Sequence, residues 1–153
     1  MRKKVIAFDQ ATKHTGYAIY VDDELVRYGV LHACGDNPCD RMLLMYKQIY
    51  GLLKEERPSL VSIEGTQFQH NYLVYRELSQ MQGVLFAVCF SLNIRFIVVE
   101  PSVWKHSCSV KGKKRAEQKE SAVQIVREMG IDAPEDACEA ILHGKHVIKS
   151  LKG

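Results

Sequence analysis

The sequence predicts an α/β domain built on a five-stranded mixed sheet flanked by helices, and three observations predict it. Short apolar runs of strand length alternate with longer segments whose apolar residues recur at helical spacing. The first three strand-like runs follow one another with only tight turns between them, as a meander does. The remaining two are each preceded by a helical segment, as crossover connections require. At 153 residues, 46% of them hydrophobic and 25% charged, the chain is read as one domain over 1–153 with enough apolar material for a core.

The elements follow in order. Val5-Ile6-Ala7-Phe8 runs straight into Asp9, so strand one is placed at 3–9, covered on both faces and therefore central. A polar turn closes at Gly16, and strand two occupies 15–21. Asp22-Asp23 turns the chain into strand three, Leu25 to His32. Pro38 suits the first turn of a helix that runs to Arg57, where Pro58 stops it. Strand four, Leu60 to Glu64, again ends in a carboxylate. The polar loop Thr66 to Asn71 leads to a helix over 72–91, and Ile94 to Val99 is strand five. Pro101 opens a short helix carrying Trp104, and a basic loop around Gly112 follows. A helix at 116–129 ends at Gly130, and Asp132-Ala133-Pro134 starts a last one over 134–149.

The chain has no apolar run near the ~20 residues of a membrane span, and its opening residues are strand-like rather than a signal sequence. A cytoplasmic location, in a bacterium or a phage-infected host cell, is the expectation. Five cysteines without a Cys-x-x-Cys pair argue for reduced, mostly buried thiols rather than zinc ligands. The net charge is only +3, yet Lys105, Lys111, Lys113, Lys114, Arg115 and Lys119 face Glu117 alone between residues 105 and 119, a local +5. Such a patch suits a polyanionic partner.

The acids carry the chemistry. Asp9 and Glu64 end strands that would lie side by side if parallel, and Asp136 and Glu139 share one face of the last helix. Clustered carboxylates raise each other's pKa unless cations neutralise them. Hard oxygen ligands suit magnesium or manganese. Two such ions about 4 Å apart can clamp a phosphodiester, one activating water and the other stabilising the leaving oxygen. His143, one helical turn after Glu139, either lines the same site or is a buried helix residue. Glu135 is read as an exposed acid of the helix start. The 72–91 helix carries apolar residues all round, as a fully buried helix or a dimer seam would.

The motifs resemble those of the RuvC-type Holliday junction resolvases. Phe8-Asp9-Gln10-Ala11-Thr12 with Thr15-Gly16-Tyr17 is similar to their first motif, and Ile63-Glu64 with its polar loop to their second. Gln80-Met81-Gln82-Gly83, Glu100 to Lys105 with Lys111-Gly112-Lys113, and Asp136-Ala137-Cys138-Glu139-Ala140 follow in the same order, over about 4–148. The resemblance implies an RNase H-like three-layer fold and a homodimer that cuts branched DNA, the four-way junction, with magnesium and no small-molecule cofactor. Asp9, Glu64, Asp136 and Glu139 would bind the metal, and Lys111 and Lys113 would fall in the phosphate-contacting segment. Gln10-Ala11-Thr12 departs from the proline-glycine-serine usual after the first acid, and Glu139 from the usual aspartate. The loop aromatic that wedges at the junction corresponds to Phe68, one position late. These departures and the compact length are similar to phage-type members. Three rivals stay open: a nuclease of the same fold acting on RNA–DNA hybrids or flaps, an actin-like nucleotide-binding domain, and a catalytically silent junction-binding protein.

Overall fold

The computed structural model describes residues 2–153. Five strands form one sheet in the order β3-β2-β1-β4-β5, with β1 (Lys4–Asp9), β2 (His14–Val21), β3 (Glu24–His32), β4 (Leu60–Glu64) and β5 (Phe96–Val99). The meander pairs antiparallel, whereas β1–β4 and β4–β5 are parallel, so the sheet is mixed and β1 is its centre. The helices are α1 (Pro38–Glu56), α2 (Tyr72–Leu92), α3 (Pro101–Ser107), α4 (Arg115–Glu128) and α5 (Glu135–Leu151). The predicted elements are all present; β5 begins at Phe96 because Asn93, in a left-handed conformation, first caps α2.

Alternation along the strands sorts the core into two layers. Ile6 and Phe8 of β1 and Val61 and Ile63 of β4 pack with Met45, Ile49, Met81 and Leu85 of α1 and α2. Val5 and Leu60 point the other way, into the layer made with Trp104, Val126 and Ile141 from α3, α4 and α5. By the same period of two, Ser62, Glu64 and Asp9 belong to the α5 face.

Helix α5 lies close on the central strands because two glycines permit it. A Cβ on Gly144 would stand 2.5 Å from the Tyr20 ring and 3.3 Å from Ala7 Cβ. At Gly16, the ladder partner of Asp9, it would stand 1.9 Å from the carbonyl oxygen of Asp136. The first turn of α5 thus rests on the strand beside Asp9.

The 72–91 helix is not fully buried. Met81, Leu85, Val88 and Cys89 face the core, while Tyr72, Leu73, Val74 and Phe90 are exposed. The cysteines are free, but only Cys89 and Cys138 are buried; Cys34 and Cys39 are exposed because they flank the surface break before α1. No described helix is long and apolar enough to cross a membrane.

Candidate active site

The register of β1 on β4 sets the site. Val5 pairs with Leu60 and Ala7 with Ser62, where the pairing ends; Asp9 and Glu64 each follow two residues later, at the same end of the two strands. Both strands run parallel, so both acids come to the same sheet edge, on the face that α5 covers. Glu139, in the second turn of α5, is buried against them. Asp9 is half-buried and Glu64 and Glu139 are buried.

Burial and mutual repulsion act together on these carboxyls. Burial raises Asp9 well above its usual range, and the charges of Glu64 and Glu139 add to it. Glu64 is pushed up to about 7, first by burial and then by Glu139. Arg115 opposes both shifts, and its guanidinium stands 3.4 Å from Glu139 Oε1. Lys119 favours ionised Asp9, and Lys105 does the same for Glu64. The Lys105 ammonium is held by Gln118 at 3.0 Å, and burial lowers its own pKa.

Three of the six predicted cations therefore act directly on the acids: Lys105, Arg115 and Lys119. Lys111, Lys113 and Lys114 are exposed on the loop that leads into α4. That loop is held by Glu117, whose carboxylate accepts from the Lys113 backbone at 2.9 Å, and by Ser121, whose hydroxyl accepts from the Lys111 backbone at 2.9 Å. Asp136 is half-buried at the helix start, and its charge acts on Arg115. Glu135 is exposed, 3.9 Å from Lys119.

His143 does not line the site. Its imidazole is fully buried, with Nε2 2.8 Å from Ser62 Oγ and Nδ1 3.2 Å from the Phe8 carbonyl. Four helical residues advance about 6 Å, nearly as far as two strand residues. Glu139 therefore meets the level of Glu64, while His143 meets Ser62 one step deeper. Desolvation lowers its pKa to about 4, so it is a neutral linker between α5, β1 and β4.

Sequence reasoning missed two residues. Gln10 is buried, its carboxamide bonded to both backbone groups of Glu64. Trp104 is fully buried, stacked on His143 with ring centroids 6.3 Å apart, and its indole N–H has no hydrogen-bond partner. A polar residue next to the first acid and a tryptophan after the Glu100-Pro101 break were the available signals.

A cleft of about 540 Å³ opens beside Glu64, lined by Gly65, Gln67, Tyr75, Lys105, Arg115 and Gln118 among others. Phe68 stands exposed near its mouth, edge-on to Tyr75 at 5.7 Å. The donor set fits a hard divalent cation: Glu64 Oε2 and Glu139 Oε2 are buried oxygens without a hydrogen-bond partner. Among the described residues no three His, Cys, Asp or Glu side chains close on one point as a formed metal cage. Arg115 is the counter-ion that shares the cluster instead.

Comparison with known proteins gives the family and the fold. The family model described as Crossover junction endodeoxyribonuclease RuvC matches residues 5–143. The proteins of that name from Fusobacterium nucleatum and Solidesulfovibrio magneticus are 27% and 25% identical to the chain. They cover 90% and 91% of it, over 76% and 88% of their own lengths. Among solved structures, T. thermophilus RuvC in complex with a Holliday junction substrate superposes with a TM-score of 0.75 at 14% identity. That match covers 98% of this chain and 96% of that one. The yeast mitochondrial Holliday junction resolvase Ydc2 superposes at 0.58 with 13% identity, over 97% and 84%. At such identities these likenesses show a shared fold.

Proposed function

The chain belongs to the RuvC family of crossover junction endodeoxyribonucleases, and on that premise we propose that it cuts four-way DNA junctions by metal-dependent hydrolysis of a phosphodiester, leaving 5′-phosphate and 3′-hydroxyl ends. One observation carries the reading: two carboxylates at the same end of neighbouring parallel strands, faced by Glu139, with buried oxygens left for a cation.

Asp9, Glu64, Glu139 and Asp136 would hold magnesium, with manganese as a substitute, as two ions. Bound there, the metal supplies a Lewis acid for the scissile phosphate and a deprotonated water at neutral pH. The protein's own part is positional and electrostatic. Asp9 and Glu64 end two interior strands of the sheet, and burial keeps water from screening them. Arg115, Lys105 and Lys119, already inside the field of the acids, would take phosphate oxygens as the strand enters the cleft. Lys111, Lys113 and Lys114 extend that positive surface outward. Such contacts position the backbone without reading bases. Phe68, exposed beside the cleft, is suited to stack on an unpaired base at the junction centre.

A two-fold junction needs two sites. The exposed Tyr72, Leu73, Val74 and Phe90 on α2 support an isologous homodimer built across that helix. Within this reading the protein works in the cytoplasm.

The test is side-by-side incubation of labelled four-way junction, RNA–DNA hybrid and linear duplex, with and without magnesium. The junction should be cut in preference, and Asp9→Asn and Glu64→Gln should bind it without cutting. Full cutting by either variant would sink the assignment, and preference for the hybrid would transfer it to the rival nuclease class.

A further inference from the structure

The β1–β4 ladder stops short of the site it serves. Its backbone pairing runs from Val5↔Leu60 to Ala7↔Ser62. Beyond that point β1 turns away toward β2, in a turn where Thr15 Oγ1 accepts from the Ala11 N–H at 3.1 Å and donates to the Ala11 carbonyl at 2.8 Å. On its far side β4 is still tied to β5, with Val61 and Gly65 giving their N–H groups to Arg95 and Val99. The N–H and C=O of Glu64 face the other way, toward a strand whose backbone is no longer there.

Gln10 fills the gap. Its Oε1 accepts from the Glu64 N–H at 3.2 Å, and its Nε2 donates to the Glu64 carbonyl at 2.6 Å. A primary carboxamide carries one acceptor and one donor side by side, as a peptide unit does, so one side chain satisfies both groups. Gln82 adds only a longer contact to the same carbonyl, at 3.5 Å. Gln10 is 5% exposed, so its bonds are shielded from competing water. It is also the residue directly after Asp9. We infer that Gln10 is a positioning residue of the metal site: its carboxamide continues the β1–β4 ladder by one step and holds the carboxylates of Glu64 and Asp9 level for a divalent cation. The inference rests on the metal-dependent reading given above.

The geometry sets what must follow. Without the carboxamide, Glu64 is anchored on one side only, and the spacing between the two acids loosens while the strands below stay paired. Metal affinity is then the property that suffers. The phosphate-contacting cations lie on α3 and α4 and the loop between them, so junction binding is independent of Gln10.

The experiment uses Gln10→Met, of similar length but unable to make either bond, and Gln10→Asn, which keeps the carboxamide one methylene short. Manganese affinity is measured by electron paramagnetic resonance without DNA, and cleavage rate is followed against magnesium concentration. In both variants manganese should bind about 10- to 100-fold more weakly, as when groups orienting metal ligands are removed. The magnesium needed for half-maximal rate should rise in proportion, the rate at saturating magnesium should recover most of its value, and junction affinity in chelator should be unchanged. A purely structural role would lower the melting temperature and leave metal half-saturation alone, and that result would overturn the inference. Amide exchange on the wild-type protein tests it without any variant: the Glu64 N–H should be as protected as those of the paired strands, and rapid exchange there would refute the bonding. If wild-type protein binds manganese and cuts the junction while the variants match it, the inference alone fails. If wild type neither binds metal nor cuts, the functional reading fails with it.

Discussion

Replacing Glu64 by glutamine should stabilise the metal-free protein while abolishing its activity. The carboxyl is buried beside Asp9 and Glu139 and raised from 4.5 to about 7. The folded state therefore binds its proton more tightly than the unfolded chain does. Ionising it in the fold costs stability progressively as pH rises through that window, and the cost is constant above it. At about 1.4 kcal/mol per tenfold change, the full cost is about 3 kcal/mol at pH 8 and under ~1 kcal/mol at pH 5. Glu64→Gln keeps the shape and removes the charge. For a chain of this size ~1 kcal/mol moves the melting temperature by about 2–4 °C, so the variant should melt roughly 6–12 °C above wild type at pH 8 in chelator. The advantage should shrink to about 2–3 °C at pH 5. Magnesium should raise the melting temperature of wild type more than that of the variant, because a cation bound only by the folded state stabilises it by mass action. Calorimetric melts at the two pH values, with and without magnesium, check all of this. Equal stability of the two proteins at pH 8, or a gain that does not depend on pH, would refute the placing of a strained, buried carboxylate at the site.

Gly16→Ala puts a Cβ 1.9 Å from the Asp136 carbonyl, so α5 must shift from the sheet; urea melts should show a loss of about 1–3 kcal/mol, and cutting should fall with it. Lys111→Ala combined with Lys113→Ala and Lys114→Ala should weaken junction binding at every sequence, and the salt slope measured by fluorescence anisotropy should drop by about 0.9 for each phosphate no longer neutralised. His143 is neutral in the fold, with its pKa lowered from 6.5 to about 4; its contribution is present above 6.5 and lost as pH falls toward 4. Glu64 offsets that loss in wild type, so the decline should appear clearly in urea melts of Glu64→Gln between pH 7 and 4.5.

What the sequence disclosed and what it hid have physical causes. An apolar run ending in an acid marks both a strand and its tip, so Asp9 and Glu64 could be read directly, and the parallel pairing of their strands makes them neighbours. Helical spacing put Glu139 and His143 on one face, but spacing gives a face and not a depth. The close approach of α5 at Gly16 and Gly144 carries His143 down to Ser62. Gln10 was hidden because its role is a long-range bond to the backbone of residue 64, and periodicity carries no signal for such bonds. Arg115 was legible as a cation of the basic segment; its pairing with Glu139 depends on how α4 packs on α5. The exposed half of α2 could not be told from a buried helix until its neighbours were in place.

If Asp9 and Glu64 at the strand ends and Glu139 and Asp136 on α5 hold the cation, cutting of branched DNA depends on both the metal and these acids. Mapping the cuts in a four-way junction labelled on each strand in turn, with wild type and Asp9→Asn, tests it most directly. Wild type should nick two opposite strands at symmetric positions only when magnesium is present, leaving ends that a ligase reseals without treatment, and Asp9→Asn should leave every strand whole. Cuts that persist in chelator, or that Asp9→Asn makes equally well, would contradict the account.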